Sequence, residues 1–144
     1  MKIYIAADHA GFKLKNYLKE YLLKNGYNVE DCGAHEYDPL DDYPDFIMPA
    51  AEKVANDHGS KGIIVGGSGQ GEAIAANRIN GIRAIVFYDG PLSIIKLSRS
   101  HNNANILSLG ARFLSTEKAT EILKIWLSEK FEGGRHENRI SKLD

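Results

Sequence analysis

Short apolar runs alternate with amphipathic helical patterns along this chain, and this alternation limits its fold more than any other feature. Five runs are strand-like, and a helical pattern follows each of them: residues 2–7, 27–31, 63–65, 82–87 and 105–109. Parallel strands need long crossovers, usually helices, and right-handed crossovers place helices on both faces of the sheet. The pattern therefore predicts an α/β fold with a five-stranded parallel sheet covered by helices.

Length and composition exclude several classes of protein. A chain of 144 residues fits one domain, so we expect residues 1–144 to form a single domain. The 18 basic and 19 acidic side chains give a net charge of −1, which provides no overall field for nucleic acid or a membrane surface. Met1 leads straight into a strand without a signal peptide, and no apolar stretch approaches a membrane span, so we expect a cytoplasmic protein. The single cysteine, Cys32, excludes an internal disulfide, and no Cys/His pair has zinc-ligand spacing.

A glycine-rich turn joins the third strand to the next helix. It reads GGSGQG over residues 66–71. Without Cβ atoms in the way, backbone N–H groups can face a ligand and cradle an anion. A tight strand-to-helix turn also uses glycine for purely structural reasons, but four glycines within six residues favour a ligand site.

Glu72 directly follows this turn and distinguishes it from the nucleotide-binding motifs. The P-loop spacing begins correctly with Gly66-x-x-x-x-Gly71, but Glu72 and Ala73 stand where that motif has Lys and Ser or Thr, and the dinucleotide fingerprint lacks its third glycine. Amide donors beside a carboxylate suit proton abstraction next to an oxygen that becomes negative. The alternative is a first-turn glutamate that offsets the helix dipole, and the same helix end would keep Glu72 ionised.

Three further polar features have both a functional and an ordinary explanation. Asp8 and His9 follow the first strand, where a ligand would bind if strands one and three are neighbours; the alternative is a helix-capping aspartate with a solvated histidine. His101 lies in a polar cluster before the fifth strand, where a lone histidine is more often a surface residue. Arg135 and Arg139 are four apart, so a helix would present both on one face as a fork for phosphate, unless they only solvate a helix end.

Taken together, these motifs resemble the ribose-5-phosphate isomerase B family, which includes galactose-6-phosphate and allose-6-phosphate isomerases. The match runs nearly end to end and rests on Asp8-His9-Ala10-Gly11, Asp42-Tyr43-Pro44, residues 66–77, Ser98-Arg99-Ser100-His101-Asn102 and Glu132-Gly133-Gly134-Arg135-His136. The resemblance implies a Rossmann-like, three-layer α/β/α sandwich with strand order 2-1-3-5-4. It also implies a homodimer, with further pairing into a tetramer left open, and no metal. We expect no cofactor.

The reaction that the resemblance implies is the interconversion of ribose 5-phosphate and ribulose 5-phosphate through an enediolate. In some members of the family the base is a cysteine just after the third strand, where this chain has Gly66. Other members use a glutamate at the start of the next helix, and Glu72 matches it, whereas Cys32 matches neither position. His101, with Asp8, would open the furanose ring, and Glu72 would carry a proton between C2 and C1.

The other site residues are also assigned by resemblance. The amides from Gly67 to Gly71 and the Ser68 hydroxyl would hold the oxyanion. The arginines match phosphate-binding positions with two histidines nearby, and a tyrosine and an asparagine match positions that touch the sugar. The full expected set for substrate binding is Asp8, His9, Tyr43, Gly67, Ser68, Gly69, Gln70, Gly71, Asn102, Arg112, Arg135, His136 and Arg139.

The C-terminal tail, about residues 131–144, follows the last long helix and has little apolar surface to hold it on its own domain. We therefore expect it to reach the partner subunit.

Two alternative functions stay open at this point. One is an isomerase that prefers allose 6-phosphate or galactose 6-phosphate. The other is a non-catalytic module that binds a nucleotide or a sugar phosphate, with Asp89 contacting a ribose. The incomplete nucleotide-binding motifs argue against this second alternative.

Overall fold

The computed structural model describes residues Met1–Asp144 and is built on one parallel sheet. Its five strands are β1 Lys2–Ala7, β2 Asn28–Asp31, β3 Lys61–Gly66, β4 Ala84–Phe87 and β5 Ile106–Gly110. They lie in the order β2-β1-β3-β5-β4, and every neighbouring pair is parallel. The predicted α/β class and the strand order that the resemblance implies are therefore confirmed.

Helices connect the strands, and a short one closes the chain. Their bounds are α1 Phe12–Lys24, α2 Pro44–Asn56, α3 Gln70–Ala76, α4 Ser93–Ser100, α5 Thr116–Ser128 and α6 Arg135–Ile140. Pro44 occupies the first turn of α2, and the Ser115 hydroxyl accepts a hydrogen bond from the Lys118 N–H at the start of α5, both as predicted. None of these helices combines the length and the apolar character needed to cross a membrane.

The helices form two layers because successive side chains of a strand point to opposite faces of the sheet. In β1, Ile3 and Ile5 join a core of 17 buried residues together with α1, α4 and α5. Tyr4 and Ala6, which alternate with them, join a second core of 11 buried residues together with α2 and α3. Two cores on either side of one sheet make the three-layer sandwich.

The start of β4 differs from the prediction, which began that strand at residue 82. The Arg83 N–H donates to the Asn105 side-chain oxygen at 2.8 Å instead of to a neighbouring strand. The Asn77 side chain then brackets Ala84, accepting from its N–H at 2.8 Å and donating to its carbonyl at 3.0 Å. Side-chain amides thus replace strand partners on this edge of the sheet, which shortens β4 to four residues.

A fully buried lysine fixes the loop that leaves β2. Lys15 in α1 has no exposed side-chain surface, and its ammonium donates to both Asp31 carboxylate oxygens, at 2.9 and 3.1 Å, and to the Ala34 carbonyl. Lys19, one turn further along α1, also contacts Asp31 at 3.0 Å. A buried charge is stable only when it is paired and hydrogen-bonded, and here both conditions are met.

Candidate active site

The carboxyl edge of the sheet brings Asp8 and His9 to the glycine-rich turn. β1 and β3 are neighbours, with Ala7 opposite Val65, so the residues that follow them meet at one edge. Asp8 caps the short helix His9–Gly11, because its Oδ1 accepts from the N–H groups of Ala10 and Gly11 at 3.0 and 3.2 Å. Asp8 therefore caps this helix through Oδ1, while its Oδ2 is left without a hydrogen bond within the chain, and its expected role toward the substrate stays a prediction.

The Glu72 carboxylate folds back onto Gly66. A Cβ added to Gly66 would overlap all three atoms of that carboxylate group, which shows that the carboxylate occupies the space a side chain at residue 66 would need. In the cysteine-type members of the family that the chain resembles, that position carries the base. A cysteine side chain at residue 66 would therefore enter the space that the Glu72 carboxylate occupies in this chain.

Glu72 is buried, and its environment changes its acidity. Burial raises the pKa of its carboxyl, the hydrogen bond from its own backbone N–H acts in the opposite direction, and the negative Asp8 adds a further increase. The backbone N–H at the start of α3 favours the ionised form, as expected of a helix end, while burial moves the pKa upward overall. A carboxylate with a raised pKa binds a proton more tightly and is therefore a stronger general base than an exposed glutamate.

The turn itself is shaped by one glycine and one buried serine. Gly69 has φ +80°, a conformation that side-chain-bearing residues rarely adopt. Its carbonyl accepts a 2.7 Å hydrogen bond from the Ser108 hydroxyl, which is fully buried in β5. The Ser68 hydroxyl accepts from the Gln70 N–H at 3.3 Å. Sequence reasoning missed Ser108, although a hydroxyl within the apolar run of β5 is the signal that could have revealed it.

Tyr43 and Arg112 border this turn, as the resemblance implies. The Tyr43 ring lies against Gly71, where an added Cβ would come within 2.8 Å of the phenol oxygen. The Arg112 guanidinium lies beside Gly67, 3.0 Å from where a Cβ would stand, and the Arg112 backbone N–H donates to the Gly67 carbonyl at 3.0 Å. Both residues therefore border the same glycine-rich turn as Glu72.

His9 is held by an aspartate that sequence reasoning did not assign to the site. Asp41 Oδ1 lies 2.6 Å from His9 Nδ1 and accepts from the His9 backbone N–H at 3.0 Å. Cys32, by contrast, follows β2 as a half-buried residue, and burial raises the pKa of its thiol. Only the thiolate is a nucleophile or a base, and a raised pKa keeps the thiol protonated near neutral pH, which agrees with its expected lack of a catalytic role.

The remaining site residues lie at the opposite, amino edge of the sheet. α4 and α5 both begin at the carboxyl edge, after β4 and β5, and run back along the sheet. His101 and Asn102 follow α4 directly, and α6 follows α5, so both groups end at the amino edge. The five residues of β5 separate the two edges by roughly 16 Å. Within one chain, His101 therefore does not meet Asp8, and the tail arginines do not meet Arg112.

The tail makes several contacts with its own chain, and its reach to a partner subunit stays a prediction. The Glu132 N–H donates to the Ser100 carbonyl at 3.0 Å, and the Asp144 carboxylate accepts from the Gly81 N–H at 3.0 Å. The buried His136 ring stacks on His101 with centroids 4.1 Å apart. Arg139 of α6 shares a small cavity of about 230 Å³ with five other residues, His101, Asn102, His136, Ile140 and Leu143.

Two groups have side-chain ligand atoms within 4.8 Å of one another and could hold a metal ion by distance alone: Asp8, His9 and Asp41, and His101, Glu132 and His136. In the first group, His9 Nδ1 and Asp41 Oδ1 are already hydrogen-bonded to each other. In the second, the two imidazole rings are nearly parallel, at 16°, so their nitrogen lone pairs do not converge on one point. Burial and the neighbouring His101 lower the pKa of His136, which keeps its imidazole neutral over more of the pH range.

Comparison with known proteins agrees with this architecture. Residues 3–143 match the Ribose/Galactose Isomerase family. Ribose-5-phosphate isomerase B of Mycobacterium leprae is 40% identical over 144 residues, covering 99% of this chain and 88% of that protein. The structure of ribose-5-phosphate isomerase B from Clostridium thermocellum has a TM-score of 0.94 at 43% identity, covering 99% of this chain and 95% of that one. The Mycoplasma genitalium enzyme, solved with bound ribulose-5-phosphate, has a TM-score of 0.93 at 39% identity, covering 99% and 93%.

A parallel sheet with a buried carboxylate beside an amide-lined turn puts the chain among α/β isomerases. It belongs to the ribose/galactose isomerase family.

Proposed function

We propose that this protein interconverts ribose 5-phosphate and ribulose 5-phosphate, a step of the non-oxidative branch of the pentose phosphate pathway. The observation that carries the proposal is the Glu72 carboxylate, buried against Gly66 beside a turn of amide donors. The relatives named as ribose-5-phosphate isomerases B support a pentose phosphate over a hexose phosphate. Comparing kcat/KM for ribose 5-phosphate, allose 6-phosphate and galactose 6-phosphate tests that choice. A pathway enzyme of this kind would act in the cytoplasm, which cell fractionation can check.

The chemistry assigned to Glu72 is proton transfer in the open-chain sugar. Its carboxylate takes the proton from C2 of the aldose and returns it to C1, and a second proton passes from the C2 hydroxyl to the C1 oxygen. The amides of Gly67 to Gly71 and the Ser68 hydroxyl hold the enediolate oxygens while they carry negative charge. Asp8, whose Oδ2 is not used by the helix cap, has a free oxygen to exchange a proton with the sugar hydroxyls.

A complete site would need two chains, and we propose a homodimer for that reason. The base lies at the carboxyl edge, whereas His101, Asn102 and Arg139 lie at the amino edge. In a two-fold dimer with antiparallel sheets, the amino edge of each chain would face the carboxyl edge of the other, which makes two complete sites. His101 of one chain would then open the furanose bound by the other chain. Arg135 and Arg139 would hold the phosphate together with Arg112 and His9, and His136 would support them.

The surface beside the edge strand β4 supports this arrangement. Ile74 on α3, which packs against β4, and Tyr88, which follows β4, are exposed by 59% and 41%, and three further apolar side chains, Ile94 and Leu97 on α4 and Phe113 after β5, are exposed by 45% to 61%. Two of them, Tyr88 and Phe113, pack on each other at 5.5 Å next to Arg112. Exposed apolar groups of this size beside an unpaired strand edge are typical of subunit interfaces. Sedimentation would distinguish a dimer from the tetramer that the family resemblance leaves open.

Mixing two inactive variants tests the shared site. Glu72→Gln chains lack the base and His101→Ala chains lack the ring-opening histidine, so each homodimer is impaired on ribose 5-phosphate. A heterodimer contains one intact site, and random exchange makes half of the dimers heterodimers, so about a quarter of wild-type activity should return. Mixing Glu72→Gln with Gly66→Ala is the matched control, because both defects lie at the carboxyl edge and no intact site can form.

Subunit exchange is verified in the same mixtures by native mass spectrometry. Exchange without recovered activity would contradict the shared site and place all catalytic groups within one chain. Activity recovered equally in the control mixture would contradict the separation of the residues into two edges.

A further inference from the structure

A single carboxylate oxygen fixes both the backbone and the ring of His9. Asp41 Oδ1 accepts from the His9 N–H at 3.0 Å and lies 2.6 Å from His9 Nδ1. The Asp41 side chain is only 8% exposed, whereas that of His9 is 30% exposed. The second Asp41 oxygen, Oδ2, is buried without a hydrogen-bond partner. His9 therefore provides the only direct partner of a buried carboxylate.

This contact determines which part of the His9 ring is available to a ligand. Because Nδ1 faces a carboxylate, it carries the proton, and Nε2 is the nitrogen left for a ligand. The Tyr37 ring meets His9 edge to face at 6.5 Å and limits its rotation. Arg112, at the rim of the glycine-rich turn, lies in the short helix Ala111–Phe113, which contacts the short helix His9–Gly11. A protonated His9 and Arg112 would thus present two positive donors to one anion.

The charges around His9 favour the imidazolium. The hydrogen bond to Asp41 is the largest influence and raises the pKa of His9, burial lowers it, Asp8 and the charge of Asp41 raise it, and Arg112 lowers it. The net direction is upward. The direction agrees with the geometry, in which a buried carboxylate with one unpartnered oxygen gains most from a positively charged neighbour.

We propose that Asp41 is a positioning residue that keeps His9 protonated and aims its Nε2–H at the phosphate group of the substrate. The inference rests on the proposed function and adds a residue that neither the motifs nor the family comparison assigned. It ties substrate affinity to pH. A phosphate ester becomes dianionic above a pKa of about 6, and His9 stays positive until the pH rises through its own raised pKa. Binding is then strongest between these two values.

The coupling is measured first without any substrate. The His9 ring is titrated by NMR in the wild type and in Asp41→Asn, with the signal assigned through His9→Gln. Asp41→Asn should lower the pKa of His9, because the charged acceptor is lost. Asp38→Asn is the matched control, since Asp38 is an exposed aspartate of the same loop whose side chain bonds only the Leu40 N–H. An unchanged His9 titration in Asp41→Asn overturns the proposal.

Sulfate, whose charge is constant near neutral pH, then tests anion binding separately from the titration of phosphate. Wild-type affinity for sulfate should fall as the pH rises through the His9 pKa, and Asp41→Asn should show that fall at lower pH. Between the two midpoints the variant should bind sulfate roughly tenfold more weakly, since a charge-assisted hydrogen bond becomes a neutral one. Asp38→Asn should follow the wild-type curve. Parallel curves for Asp41→Asn and wild type would overturn the proposal.

Steady-state kinetics separate this inference from the proposed function. With ribose 5-phosphate, Asp41→Asn should raise KM in the same pH window while kcat stays near that of the wild type, because the phosphate is remote from the reacting carbons. An equal loss of kcat at every pH would indicate a general disturbance and contradict the positioning role. If Asp41→Asn does not fold, the wild type and His9→Gln decide the matter, because only the wild type should lose sulfate affinity as the pH rises. Failure of the proposed function would be recognised differently, by the absence of isomerase activity in a wild type that still shows the His9 titration and sulfate binding.

Discussion

The position of Glu72 predicts a large effect from adding one methyl group at Gly66. In Gly66→Ala the new Cβ would overlap the Glu72 carboxylate. Gly66 lies in the β3–β5 register opposite Gly110, so its backbone is held by the sheet. Its φ is not in the left-handed region, so alanine adds no backbone strain there. The Glu72 side chain must therefore give way, and its carboxylate leaves the place where the reaction occurs.

The expected magnitude follows from what moves. A positioned general base contributes roughly 10²- to 10⁴-fold to a rate, so kcat of Gly66→Ala should fall by about that factor, as in Glu72→Gln. KM should change little, because the phosphate contacts stay. The free energy of unfolding should change by about 1 kcal/mol, since the displaced group is the end of a flexible side chain and not a packed core.

The assay is coupled detection of ribulose 5-phosphate, with urea unfolding as the control for folding. Gly66→Cys combined with Glu72→Ala extends the test, because it removes the carboxylate and puts a thiol in the vacated space. That double variant should be more active than Glu72→Ala alone and should become sensitive to thiol alkylation. A folded Gly66→Ala enzyme with wild-type kcat would refute the view that the Glu72 carboxylate acts from this position.

Three other outcomes are expected. Cys32→Ala and thiol alkylation of the wild type should leave kcat nearly unchanged in the coupled assay, and an inactive Cys32→Ala would reassign the base. Burial raises the pKa of Glu72, and only its carboxylate form accepts a proton. In a pH profile, log kcat/KM should therefore fall as the pH drops through a pKa above that of an ordinary glutamate, and Glu72→Gln should lack this fall on the acidic side. Lys15→Met should lower the free energy of unfolding, measured by urea denaturation, by about 3 kcal/mol, because Asp31 loses its buried partner and keeps only Lys19. Lys13→Met is the matched control on the surface of the same helix and should have little effect.

The sheet could be predicted from the sequence because the signals for strands and helices are local. Alternation of apolar runs and amphipathic helices predicted all five strands within two residues at each end. The order of the strands came from the family resemblance, since periodicity alone does not say which strands are neighbours. The predicted start of β4 was wrong because the side chains of Asn77 and Asn105, 7 and 22 residues from their partners, supply the hydrogen bonds there.

Much of the candidate site could also be predicted, because its residues follow strands directly. Asp8, His9 and the glycine-rich turn meet as expected from the topology. Asp41 and Ser108 were missed because each acts through a partner 32 or 39 residues away; the hydroxyl in the apolar run of β5 is a local signal for Ser108, but nothing in the local sequence marks either partner. The burial that raises the pKa of Glu72 likewise depends on the packed structure, whereas the helix-end effect that we considered is visible in the sequence.

The separation of the site into two edges is a consequence of parallel topology. In a parallel sheet, every loop that follows a strand lies at the carboxyl edge, and every loop that follows a crossover helix lies at the amino edge. His101 follows α4 and the tail follows α5, so neither can reach Glu72 of the same chain without crossing the length of a strand. Motif order along the chain does not distinguish the two kinds of loop, whereas the alternation of strands and helices does. This topology is the physical reason for the proposal that a histidine after a crossover helix and a base after a strand come together between two chains.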